Sequence, residues 1–102
     1  MKIYVVEVHG DDYYDQWVFS KVFKSIVDAR AYCNSELLKE LEEKGEWAKG
    51  AIIKTKADGD VVYEVEAVQY SQELKLTSKG DFYRSERRGV GSSYRVTAVK
   101  VE

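Results

Sequence analysis

Residues 25–45 read Ser25-Ile26-Val27-Asp28-Ala29-Arg30-Ala31-Tyr32-Cys33-Asn34-Ser35-Glu36-Leu37-Leu38-Lys39-Glu40-Leu41-Glu42-Glu43-Lys44-Gly45, and this stretch decides the fold class. Ser25 is a residue type that accepts a hydrogen bond from the free N–H groups opening a helix, and Asp28 is a weaker form of the capping-box acid. Ile26, Ala29, Cys33, Leu37 and Leu41 recur at spacings of three and four, which makes one apolar stripe. Arg30, Lys39, Glu40, Glu43 and Lys44 take the opposite side. Gly45 can leave the helix with a left-handed backbone. One amphipathic helix is predicted over 26–44, and its single apolar stripe needs a flat apolar surface to lie on.

The flanking segments read as that surface. Residues 2–9 (KIYVVEVH) carry Tyr4, Val6 and Val8 on one side and Ile3 and Val5 on the other, the pattern of a central strand. A turn over 10–15 leads to a second strand at 16–23 (QWVFSKVF), close enough for an antiparallel hairpin. Beyond the helix, 50–56 and 60–70 form another hairpin around Ala57-Asp58-Gly59. A two-residue loop there would set Ile52 opposite Val65 and Lys54 opposite Tyr63. A three-residue loop, with Gly59 left-handed, sets Ile53 opposite Tyr63, Ala51 opposite Val65 and Thr55 opposite Val61. The second register gathers apolar residues on one face and is preferred.

After Tyr70 the pattern weakens. Leu74 and Leu76 alternate with Lys75 and Thr77, a short strand at most, and 78–93 (SKGDFYRSERRGVGSS) reads as a long loop or ordered turn, mobile around Gly89 and Gly91. Residues 94–101 (YRVTAVKV) read as a final strand. The order is β-β-α-β-β-(β)-β: a single α+β domain over 1–102, a mostly antiparallel sheet with one amphipathic helix packed on one face.

Composition bounds the function. The chain has 102 residues, 44% hydrophobic and 13% aromatic, enough for one core. Its net charge is −2, divided as −3 over residues 1–50 and +1 over 51–102. Such a balance gives no global field to steer nucleic acid or a membrane, so any electrostatic function is local. The one cysteine excludes an internal disulfide framework. No signal-peptide pattern opens the chain, and no apolar run approaches the roughly 20 residues a membrane span needs. A cytoplasmic protein without membrane contact is expected.

The residues that could carry chemistry have plainer uses. His9, the only histidine, lacks a nucleophile-elbow sequence or any adjoining triad pattern and reads as a surface or turn-capping residue. Asp11, Asp12 and Asp15 beside it lack calcium-loop spacing and suit a turn. Cys33 falls on the apolar stripe, where a small hydrophobe belongs. Gly89-Val90-Gly91 is too short for a phosphate loop. No catalytic residue, metal or cofactor is expected.

Two segments stand above this background. Residues 10–17 (GDDYYDQW) place Tyr13, Tyr14 and Trp17 in a turn whose geometry Gly10, Asp11 and Asp12 already supply. Tyrosine and tryptophan suit protein interfaces because they bury a large area and keep a polar tip. Strand alternation leaves the side of Trp17 open: it faces away from the helix if Val18 and Val22 face inward, and joins the core if Phe19 and Phe23 do. The second segment, 79–95, mixes Arg84, Arg87 and Arg88 with Phe82, Tyr83 and Tyr94, a combination suited to an acidic protein or to single-stranded nucleic acid. An ordinary hairpin turn and a solvated loop are the simpler readings of the two.

Lys2-Ile3-Tyr4-Val5-Val6-Glu7, with Val22-Phe23, Ser25 and Ala29 at the helix entry, resembles the opening of small uncharacterised proteins of bacteriophages and their bacterial hosts. The resemblance covers about the first 35 residues and is structural, so it transfers no functional residue. It implies a phage accessory protein acting in the host cytoplasm by binding a host protein. The leading expectation is therefore a non-enzymatic protein-binding module, an inhibitor or modulator of a host enzyme or defence system. Candidate contacts are Tyr13, Tyr14, Trp17, Arg84, Arg87 and Arg88. The alternative is a small nucleic-acid-binding domain using 79–95.

Overall fold

The helix forms where its cap and stripe place it. Helix α1 spans Ile26–Lys44, with Ser25 extended as its N-cap and the Ser25 hydroxyl accepting from the Asp28 N–H at 3.4 Å. Gly45 closes it at φ 54°, its N–H donating to the carbonyls of Leu41 and Glu42. The computed structural model describes residues 1–10, 16–77 and 80–101, with side chains described for these except 71–77 and 80–87.

Five strands form one antiparallel sheet: β1 (Lys2–His9), β2 (Val18–Phe23), β3 (Ile52–Asp58), β4 (Val61–Thr77) and β5 (Gly80–Lys100), in spatial order β2-β1-β5-β4-β3. A short 3-10 turn, Gly45–Ala48, links α1 to β3. The α+β expectation holds. Ala29, Cys33 and Leu37 of α1 are buried in one cluster with Val6, Tyr63, Val65, Ala67, Val90, Tyr94 and Val96 of the sheet. Tyr4 and Val8 pack around it, so the Tyr4-Val6-Val8 side of β1 faces the helix and the Ile3-Val5 side is the other face.

The sequence reading of 71–93 is overturned. Leu74 and Leu76 belong to no separate strand, because β4 continues to Thr77. The expected loop over 78–93 is strand from Gly80 onward, with Gly89 and Gly91 inside β5. Residues 78 and 79 lie outside the described residues. Backbone pairing from Thr77↔Gly80 to Val68↔Gly89 carries this segment, and ladder hydrogen bonds need no apolar alternation in the sequence. β3 ends at Ile52, opposite Val68, and β1 ends at His9, opposite Ser93. Among the described residues, 69–77 and 80–88 therefore pair in the sheet only with one another, as a two-stranded ribbon. The molecule measures 64 × 29 × 24 Å with a radius of gyration of 17.1 Å. A compact domain of this length has about 13 Å.

The hairpin register also differs from both readings weighed above. Asp58 pairs with Val61, Lys56 with Glu64, Thr55 with Val65 and Ile53 with Ala67, so Gly59 and Asp60 make the reversal. Gly59 has φ 59° as expected, and alternation keeps Ile53 on the same face as Tyr63. The shift has a tertiary cause: the Asp60 carbonyl accepts from the Ala98 N–H at 2.8 Å, anchoring the turn to β5.

Candidate functional site

The helix covers one face of the sheet and leaves the other open to a partner. A bulge in β2 decides what stands there. Val22 pairs with Val5 and Lys21 with Val6, after which the register shifts and Phe19 pairs with Glu7 and Val18 with Val8. Val18 and Phe23 thus lie on the helix side, while Phe19 and Val22 lie on the uncovered side. Neither alternation weighed for Trp17 holds, because both assumed an uninterrupted strand; a bulge inserts one residue and resets the faces.

Trp17 stands on the uncovered side. Its ring lies 4.3 Å below the Arg95 guanidinium carbon and 5.5 Å, centroid to centroid, from His9. Arg95 is held in turn: its Nε donates to Glu7 Oε1 at 3.0 Å, across directly paired positions of β1 and β5. A guanidinium stacked on an indole and bonded to a carboxylate has little freedom, so the tryptophan is fixed before any partner arrives. Beside it, Phe19 is 61% exposed and Val22 42%, with Val99 on the same face at 38%. Exposed large apolar residues grouped on one face mark a contact surface more often than scattered ones do.

The other candidates separate from this group. Tyr13 and Tyr14 lie outside the described residues. Arg84 and Arg87 are in the ribbon part of β5, paired with Glu73 and Tyr70, and their side chains are outside the description. Arg88 is exposed, opposite Gln69, and lies seven residues before Arg95 on one strand, about 20 Å away at the usual strand rise. Trp17 and Arg88 do not share a site.

Sequence reasoning missed Arg95, Glu7, Phe19 and Val22 as members of the surface. One signal was legible: Glu7 and Arg95 are charged residues inside otherwise apolar strands, which calls for a partner. Nothing in the sequence says that residues 88 positions apart meet.

Cys33 is buried, and burial pushes its thiol from 9.0 up to about 11, the opposite of an activated nucleophile. Among the described residues no group of three or more His, Cys, Asp and Glu could hold a metal ion, and Asp11, Asp12 and Asp15 lie outside them. No described helix is long and apolar enough to cross a membrane. No family model, curated protein or solved structure matches the chain.

Proposed function

We propose that the chain is a non-enzymatic protein-binding module whose contact surface is the uncovered sheet face at β1 and β2. The observation that carries this reading is Trp17, clamped by Arg95 and flanked by exposed Phe19 and Val22. Apolar area so placed has no partner within the described fold, and an anchor already ordered loses little entropy on binding. The resemblance of the first residues to phage accessory proteins supports a host protein as partner, its enzyme or defence activity modulated by the contact. In the basic segment, Arg95 is already engaged by Glu7, so less positive charge is left for phosphates than composition suggests.

Capture from a bacterial lysate tests this with three baits: the unaltered chain, Phe19→Asp and Arg88→Ala. A specific partner should survive nuclease and moderate salt, be lost with Phe19→Asp, and be kept with Arg88→Ala. A partner released by nuclease, or one kept by Phe19→Asp and lost by Arg88→Ala, overturns the assignment and moves binding to the basic segment. In a Trp47→Phe background Trp17 becomes the remaining indole, and its fluorescence should shift when that partner is added.

A further inference from the structure

Where β3 ends at Ile52, β4 loses its neighbour on that side, and residues 45–51 run past the opening instead. Gln69 joins the two: its Nε2 donates to the carbonyl of Trp47 at 2.8 Å and to that of Lys49 at 2.9 Å. The chain then turns through Gly50 at φ 78°. Between these segments lies an open cleft of about 350 Å³, lined by Lys49, Gly50, Gln69, Tyr70 and Arg88. Tyr70 is itself held: Lys54 Nζ donates to its hydroxyl at 2.5 Å and sits 5.0 Å from its ring centroid.

Among the described residues the wall has two cations and no carboxylate, although the chain has 18 acids to 16 bases. Glu66, opposite Lys54 in register, is not among the lining residues. Like charges gathered at one cleft repel, and an anion held between them relieves that. Arginine presents a planar fork that fits phosphate oxygens, and a dianion matches two cations where a carboxylate matches one. The cleft is of a size that takes a small organic molecule, and the Tyr70 ring adds a flat wall.

We propose that this cleft binds a small organophosphate, with the phosphate between Lys49 and Arg88 and a flat organic body against Tyr70. The site is remote from Trp17 and independent of the partner face.

A ¹H–¹⁵N NMR titration with AMP tests it, with inorganic phosphate, adenosine and acetate as comparison probes. AMP should move the Gln69 side-chain amide and the Gly50 N–H saturably. Phosphate should move the same signals at higher concentration, and adenosine and acetate should leave them in place. Lys49→Ala and Arg88→Ala should each weaken AMP binding roughly tenfold, the loss expected of one charge-assisted contact. Unchanged Val6, Val65 and Val96 signals verify that both variants fold. Lys39→Ala, on the exposed side of α1, should bind as the unaltered chain does. Absence of shifts at millimolar AMP overturns the proposal. So does acetate acting as strongly as AMP, or Lys39→Ala weakening binding as much as Arg88→Ala.

Discussion

On the outer side of α1 a glutamate at position 40 has every reason to sit in water, yet Glu40 folds onto the sheet. Its Oε2 accepts from the Ser92 N–H at 2.8 Å and its Oε1 from the Tyr94 hydroxyl at 2.9 Å. Gly91, at φ 75°, makes room: a Cβ there would stand 2.9 Å from Glu40 Oε2. Glu40→Ala should cost about 1–3 kcal/mol, because the buried Tyr94 hydroxyl loses its acceptor. Gly91→Ala should cost at least about 1 kcal/mol from left-handed strain alone, with the clash added. The clash vanishes once Glu40 is alanine, so in a urea-unfolding cycle the double mutant should lose less than the two single losses combined. Strict additivity would show that the two residues do not touch. Cys33 gives a pH signature. The folded chain keeps the thiol proton where the unfolded chain releases it, so stability is full below pH 9 and falls as pH rises from 9 toward 11. Tyr94 is also pushed up from 10.0, first by burial and then by Glu40, and acts in the same direction at higher pH. Unfolding free energies of Cys33→Ala across that range should stay level until pH 10, where Tyr94 takes over.

Among the elements, the β3–β4 turn offers the sharpest contrast between neighbouring positions. Gly59 has nothing within 4 Å of where its Cβ would be, so a side chain there meets strain without collision. Gly59→Val should cost about 1–2 kcal/mol, the penalty of left-handed backbone for a residue with a Cβ, and the β-branch adds to it. Asp58→Ala should cost less, and thermal melts of the two variants compare them directly. That Gly59 needs positive φ was legible in the sequence, as were the ends of α1, because a cap, an apolar stripe and a terminal glycine act over a few residues. The pairing of Asp58 with Val61 was not, since the hold of β5 on Asp60 comes from 38 residues away. The same limit hid the ribbon. Residues 80–93 carry no apolar period, and the backbone pairing that makes them a strand leaves no mark on composition. At the candidate surface Trp17 was legible as a residue in excess of what a turn needs. Its side of the sheet was not, because a bulge within Val18–Phe23 gives no signal in VFSKVF.

For the molecule as a whole, the core and the ribbon are divided along β4 and β5. Every residue of the buried cluster among the described side chains lies at or before Ala67 or at or after Val90. Replacing 71–86 by an Asn-Gly turn should therefore leave the core signals of Val6, Val65 and Val96 unshifted in an NMR spectrum, with melting still cooperative. Collapse of the spectrum would mean that the ribbon is part of the folding unit. The elongation has a consequence for handling the protein in solution. A particle 64 Å long and less than 30 Å across drags more solvent than a sphere of equal mass and tumbles unequally about its axes. On a sizing column the 11.7 kDa chain will elute ahead of globular standards of its weight, as a heavier species would. Light scattering, which reads mass without shape, separates this elongation from self-association, and the ribbon-trimmed variant should move back toward the standards.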